Sequence, residues 1–119
     1  MNQPIPEVTD NDVIRIVRRD FPAEQFEDVM SILNDYGTEG GQHSISRVRL
    51  AVLKIADGDL QALGREIDVA KRDYRDVLAY AEYPEYMQKV SPSAEPAEVE
   101  RERIIRADWK QYQFWLNRA

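Results

Sequence analysis

The chain contains no cysteine and a single histidine, His43. Without cysteine there is no disulfide, no thiolate nucleophile and no cysteine-held zinc, although this leaves the redox compartment open. With one imidazole, a helical His-x-x-x-His zinc site cannot form within the chain. The Glu-x-x-His pairs of di-iron bundles are excluded as well, because Gly40 stands three residues before His43. Equally missing are a Gly-x-x-x-x-Gly-Lys-Ser/Thr phosphate loop, a Gly-x-Ser-x-Gly elbow and a Gly-x-Gly-x-x-Gly turn. The expectation is therefore no enzyme, no cofactor and no metal. No apolar run approaches the ~20 residues that a membrane span needs. The first twelve residues are acidic and broken by Pro4 and Pro6, unlike the basic start and apolar stretch of a secretion signal. A cytoplasmic protein that does not engage a membrane is expected.

What is present describes one globular domain over residues 1–119, long enough to bury a core without covalent staples. The chain carries 22 acidic and 16 basic residues, a net charge of −6. All of the excess lies in residues 1–41, where nine carboxylates face only Arg15, Arg18 and Arg19. Binding to nucleic acid draws on a basic face that displaces counterions, so no nucleic acid partner is expected. An acidic third steers instead toward a basic protein.

The hydrophobic pattern predicts an all-α, compact bundle of four to five helices. The first begins near Thr9, a capping hydroxyl, with Asp12 three places on as a short counterpart of the capping-box Glu. Its Val13-to-Val17 run also suits a short strand, and the cap signals favour helix. The second runs from Pro22 to about Tyr36 and stops at Gly37. Phe26, Val29, Met30, Leu33 and Tyr36 share one face, with carboxylates on the back. The third, from about Ser44 to Asp57-Gly58, is apolar over most of its circumference and is placed at the centre. The fourth starts at Asp59 and reaches about Glu82 before Pro84, making it the longest. Its Leu60, Leu63, Ile67, Ala70, Tyr74, Val77 and Ala81 step three and four apart, as in a packed seam. Asp68, Arg72 and Asp76 lie on its solvated side. Residues 91–98 form a proline-containing, linker-like segment before a C-terminal helix at 99–118. Its spine is Ile105, Trp109, Tyr112 and Leu116, with Ile104 and Trp115 at one edge. The expected core is Leu33, Val48, Val52, Ile55, Leu63, Ile67, Tyr74, Leu78, Ile105, Trp109 and Tyr112.

Three surfaces are candidates for function. The acidic back of the second helix, with Asp20, Glu24, Glu27, Asp28 and Asp35, suits docking of a basic partner. Small acidic inhibitors of basic toxins or nucleases, of the immunity type, share this profile. The last helix carries Trp109, Tyr112, Phe114 and Trp115 within seven residues, more than one face can bury. Phe114 and Trp115 are therefore candidates for self-association, as a homodimer. The loop with Gly40, Gly41, His43 and Ser44 leads into a helix N-terminus. It combines exposed amides with an imidazole able to relay a proton, the pattern of a small-molecule or anion site. Against that stands the lack of any lysine or arginine in the loop before Arg47. A plain connection also explains its glycines. A structural, self-assembling domain is the third reading. Of the clustered Tyr74, Tyr80, Tyr83 and Tyr86, Tyr74 is placed on the core seam and Tyr83 with Tyr86 at the end of the bundle, so packing is the reading for at least two of the four.

Phe21-Pro22 with Val29, Leu33 and Gly58-Asp59-Leu60 resembles the ubiquitin-binding CUE and UBA three-helix domains. The likeness covers only scattered dipeptides, the segment between them is too long for so small a domain, and Gly58-Asp59 is accounted for as a helix stop and cap. No function is carried over from it.

Overall fold

The computed structural model describes residues 4–38, 40, 42–89 and 97–119, and all regular structure among them is helical. The helices are α1 (Asp10–Asp20), α2 (Phe26–Asn34), α3 (Ile45–Ala56), α4 (Leu60–Arg72), α5 (Tyr74–Glu82), α6 (Pro84–Lys89) and α7 (Glu98–Asn117), with a 3₁₀ turn at Ala23–Gln25. None is long and apolar enough to cross a membrane.

The helix starts follow from local chemistry. At α1 the Thr9 backbone N–H donates to the Asp12 carboxylate at 3.0 Å. At α4 the Asp59 carboxylate accepts from the amides of Gln61 and Ala62. The stops use residues free to take positive φ. Gly37 sits at φ +115° after α2, and Asp57 (φ +50°) with Gly58 (φ +80°) ends α3. A Cβ at Gly37 would lie 2.7 Å from Arg49 Nη2 and 2.9 Å from Ile45 Cγ2, so glycine is required there by space as well.

α3 is the central helix, packed against α1, α4 and α5. Val48, Leu50, Ala51, Val52, Leu53 and Ala56 are all buried, which accounts for its apolar circumference. Its three cations reach out to neighbours. Arg47 pairs with Glu82, and Arg49 donates to the carbonyls of Leu33 and Tyr36 at the end of α2. Burial pushes the Lys54 ammonium down, offset by the charges of Asp108 and Asp57.

Four expectations are corrected. The helix expected from Asp59 to Glu82 is two helices, because Asp73 takes an extended backbone and its carboxylate caps the Arg75 amide at 3.1 Å. The seam survives the break: Leu63, Ile67, Ala70, Val77 and Ala81 are buried, with Leu60 and Tyr74 partly so. The longest helix is α7, with 20 residues. α2 opens as a 3₁₀ turn and ends at Asn34, two residues before Tyr36. Finally, Pro84 starts a sixth helix, Pro84–Lys89, just after Tyr83 caps the end of α5. Of the linker-like segment 91–98, residues 91–96 lie outside the described residues, Ala97 is the N-cap of α7 and Glu98 is already helical.

Eight of the eleven expected core residues are buried, while Ile55, Tyr74 and Trp109 are half-buried. Trp109 misses the core because α7 is rotated from its expected facing. Ile104, Ile105, Asp108, Tyr112, Trp115 and Leu116 are the buried positions. They span an arc of roughly 120° at ~100° per residue, which leaves Trp109 at the margin. The arc contains a carboxylate. Asp108, 1% exposed, accepts hydrogen bonds from the Glu85 and Tyr86 amides at 3.0 and 2.9 Å, and so anchors the first turn of α6 to α7.

Candidate functional site

The five carboxylates expected to form an acidic face divide into two groups. Asp20 accepts from Arg19 Nε at 2.8 Å and is largely enclosed. Asp35 is paired with Lys71 Nζ at 2.9 Å across to α4. Both are paired within the chain, Asp20 enclosed and Asp35 at the surface. Glu24, Glu27 and Asp28 are exposed and take no ion pair among the described residues. They lie on the 3₁₀ turn and first turn of α2, where carboxylates also favour the helix N-terminus.

Beside them the α1–α2 junction forms a groove of about 460 Å³. Val17, Arg18, Phe21, Pro22, Ala23 and Phe26 line it. The Arg18 guanidinium stacks over the Phe26 ring at 5.4 Å and covers part of its face. The groove is thus mainly apolar, with one stacked cation inside, and Glu24 and Glu27 directly follow its lining residues Ala23 and Phe26 in the chain. Phe21-Pro22 builds it: Phe21 adopts an extended backbone at the end of α1, and proline fixes the entry to the following turn.

The C-terminal aromatics also divide. Trp115, 8% exposed, is part of the chain's own core, against Tyr112 at 5.6 Å and under the Arg19 guanidinium at 5.3 Å. Phe114 is 74% exposed. Of the two residues expected to make a self-association surface, the fold leaves only Phe114 available. Trp115 is taken up because it falls inside the buried arc of α7, between Ile104 and Asp108 on the helical wheel.

Gly40, His43 and Ser44 are exposed, and Gly41 lies outside the described residues. The loop is pinned at two points. The Tyr36 hydroxyl donates to the His43 carbonyl at 2.9 Å, and the Gly37 amide donates to Gln42 Oε1 at 2.6 Å. Burial, set against the His43 carbonyl bond, pushes the Tyr36 phenol up. The loop borders a cleft of about 300 Å³ whose other wall is the α4–α5 break. There Lys71, Arg72, Asp73, Tyr74 and Arg75 face Gln42 and His43, and the His43 and Tyr74 rings lie 5.7 Å apart. The cations missing from the loop come from another part of the chain. No signal in the loop itself announces them.

Comparison with protein-family models, curated proteins and solved structures finds no match for this chain. The site is therefore read from its own chemistry. Among the described residues, no three His, Asp or Glu side chains are grouped so as to hold a metal ion.

Two buried polar groups escaped sequence reasoning. Glu82, 2% exposed, receives Arg47 Nε at 2.7 Å and Nη2 at 2.6 Å in a two-point pair. The hydrogen bond to Glu82 holds the Arg47 guanidinium above its ordinary value, against the cost of burial. Asp108 is the other. Burial pushes its carboxyl up, partly offset by the two amide bonds. Only Asp108 carried a signal, its place inside an otherwise apolar arc.

Proposed function

We propose that the chain is a cytoplasmic, non-enzymatic interaction module that docks a basic protein partner at the α1–α2 turn. The observation that carries this reading is the set of three exposed carboxylates, Glu24, Glu27 and Asp28, without an ion pair among the described residues, on the same two turns that supply Ala23 and Phe26 to an apolar groove. An apolar floor supplies contact area, and rim charges of one sign speed encounter and reject like-charged competitors. A partner segment with an apolar anchor flanked by lysine or arginine matches both. Inhibition of a basic toxin or nuclease is one activity this surface suits.

The same proteins captured from native-host lysate are compared for the wild type and for Glu24→Lys with Asp28→Lys, at low and moderate salt. The expected result is a basic protein held by the wild type at low salt, released as salt rises, and lost in the double variant. Asp35→Lys, whose carboxylate is already paired with Lys71, should retain it. Equal capture by the wild type and the double variant would sink the docking reading. A second copy of the chain is the other partner we propose, on the exposure of Phe114.

A further inference from the structure

The α4–α5 break gathers positive charge in a chain whose net charge is −6. Lys71 and Arg72 close α4, Arg75 opens α5, and the extended Asp73 between them turns both ends toward the loop carrying His43. Asp73 is the one carboxylate among the residues that line the cleft. Hydrogen bonding to Arg75 holds its carboxyl below the usual range. Arg75 uses Nε and Nη2 for that pair, which leaves Nη1 without a partner among the described residues. The Arg72 side chain is exposed and makes no hydrogen bond or ion pair among them. Lys71 is held by Asp35 and stands as a fixed charge at the rim.

Two arginines with open donors, a third cation and an imidazole converge on a mostly polar cleft of about 300 Å³. Guanidinium groups match the oxygen geometry of phosphate better than that of any single-point anion. The volume is at the lower end of what small-ligand sites enclose. The His43–Tyr74 ring pair adds an aromatic wall, and the Tyr36 hydroxyl and Gln42 fix the loop that carries it.

We propose that this cleft binds a small phosphomonoester, with the phosphate on Arg72 and Arg75 and a flat organic group against His43 and Tyr74. The site is separate from the α1–α2 groove and does not depend on the docking reading.

The full chain, labelled with ¹⁵N, is titrated with inorganic phosphate and with phenyl phosphate, against sodium chloride of equal ionic strength. Saturable amide shifts at Gln42, His43 and Arg75 are expected with both, at several-fold lower concentration for phenyl phosphate. Arg72→Glu, at an exposed position, should weaken both by about ten-fold or more. Lys89→Glu, the same charge change on α6, should leave them unchanged. His43→Ala should remove the advantage of phenyl phosphate while leaving inorganic phosphate bound. Shifts that chloride reproduces, or that Arg72→Glu and Lys89→Glu reduce equally, would overturn the proposal.

Discussion

Tyr83 shows how much one polar atom depends on its surroundings. Its ring is buried and its hydroxyl donates to the Pro4 carbonyl, tying the N-terminal segment to the end of α5. Burial first, and the Glu82 charge next, push its phenol up to about 12. An unfolded-state phenol loses its proton near pH ~10, so above that pH the unfolded chain binds fewer protons than the folded one. Stability contributed by this proton is full below pH ~10 and is lost as pH rises toward about 12. Burial also pushes Tyr112 up, and its hydroxyl has no hydrogen-bond partner among the described residues. Urea midpoints measured from neutral to alkaline pH should therefore fall less steeply for Tyr83→Phe and for Tyr112→Phe than for the wild type. At neutral pH only Tyr83→Phe should lose stability, by about 1 kcal/mol, because only its hydroxyl makes a bond to lose. An alkaline fall as steep as the wild type's in both variants would contradict the role of these two phenols. Asp108 illustrates what a residue-by-residue reading misses. A carboxylate is normally placed outside, and Asp108 is inside because the free amides of α6 come to meet it.

At the scale of elements, helix ends rather than helix faces explain how the pieces lock. The last carbonyls of a helix lack partners and carry partial negative charge, so cations gather there. Two arginines of α1 serve α7 in this way. Arg15 Nη1 donates to the Leu116 carbonyl at 2.8 Å, and Arg19 Nη1 donates to those of Trp115 and Arg118 at 2.6 and 2.9 Å. Arg49 does the same for α2, where its Nε donates to the Leu33 carbonyl at 3.1 Å. Arg19→Ala should lower stability by about 1–2 kcal/mol and speed amide exchange in the last turn of α7. A urea midpoint and exchange rates equal to those of the wild type would show that the α1–α7 contact is held by packing alone. Helix caps at Thr9 and Asp59 and the stops at Gly37 and Gly58 are legible in sequence, since each depends on atoms a few residues away. The break at Asp73 is less so. The apolar spacing continues across it, and the only local signal is an aspartate able to cap the next helix.

At the scale of the whole molecule, the acidic excess and the C-terminal aromatics take their meaning from what covers them. Phe114 and Trp115 are neighbours in the chain, yet one is exposed and one is core. If Phe114 seats a second copy, Phe114→Ala should weaken self-association by about ten-fold in sedimentation equilibrium, with little change in the urea midpoint. Trp115→Ala should instead destabilise each chain by about 3 kcal/mol or more through the cavity it leaves. A Phe114→Ala chain whose association state matches the wild type would remove this face as a contact.

Composition and periodicity by themselves determined that the chain is helical, where most helices begin and end, and that α3 lies at the centre. Those properties rest on interactions within a turn or two and on one apolar face per helix. They also excluded cysteine chemistry and any two-histidine metal site within the chain. Only the tertiary structure decided which charges remain available. Asp20 and Asp35 are paired with Arg19 and Lys71, while Glu24, Glu27 and Asp28 take no ion pair among the described residues. Likewise, cations from the α4–α5 break reach the His43 loop, from which the chain's own order separates them. Net charge is a sum over residues, but the field at a surface depends on pairings between distant segments, and those exist only once the helices have packed.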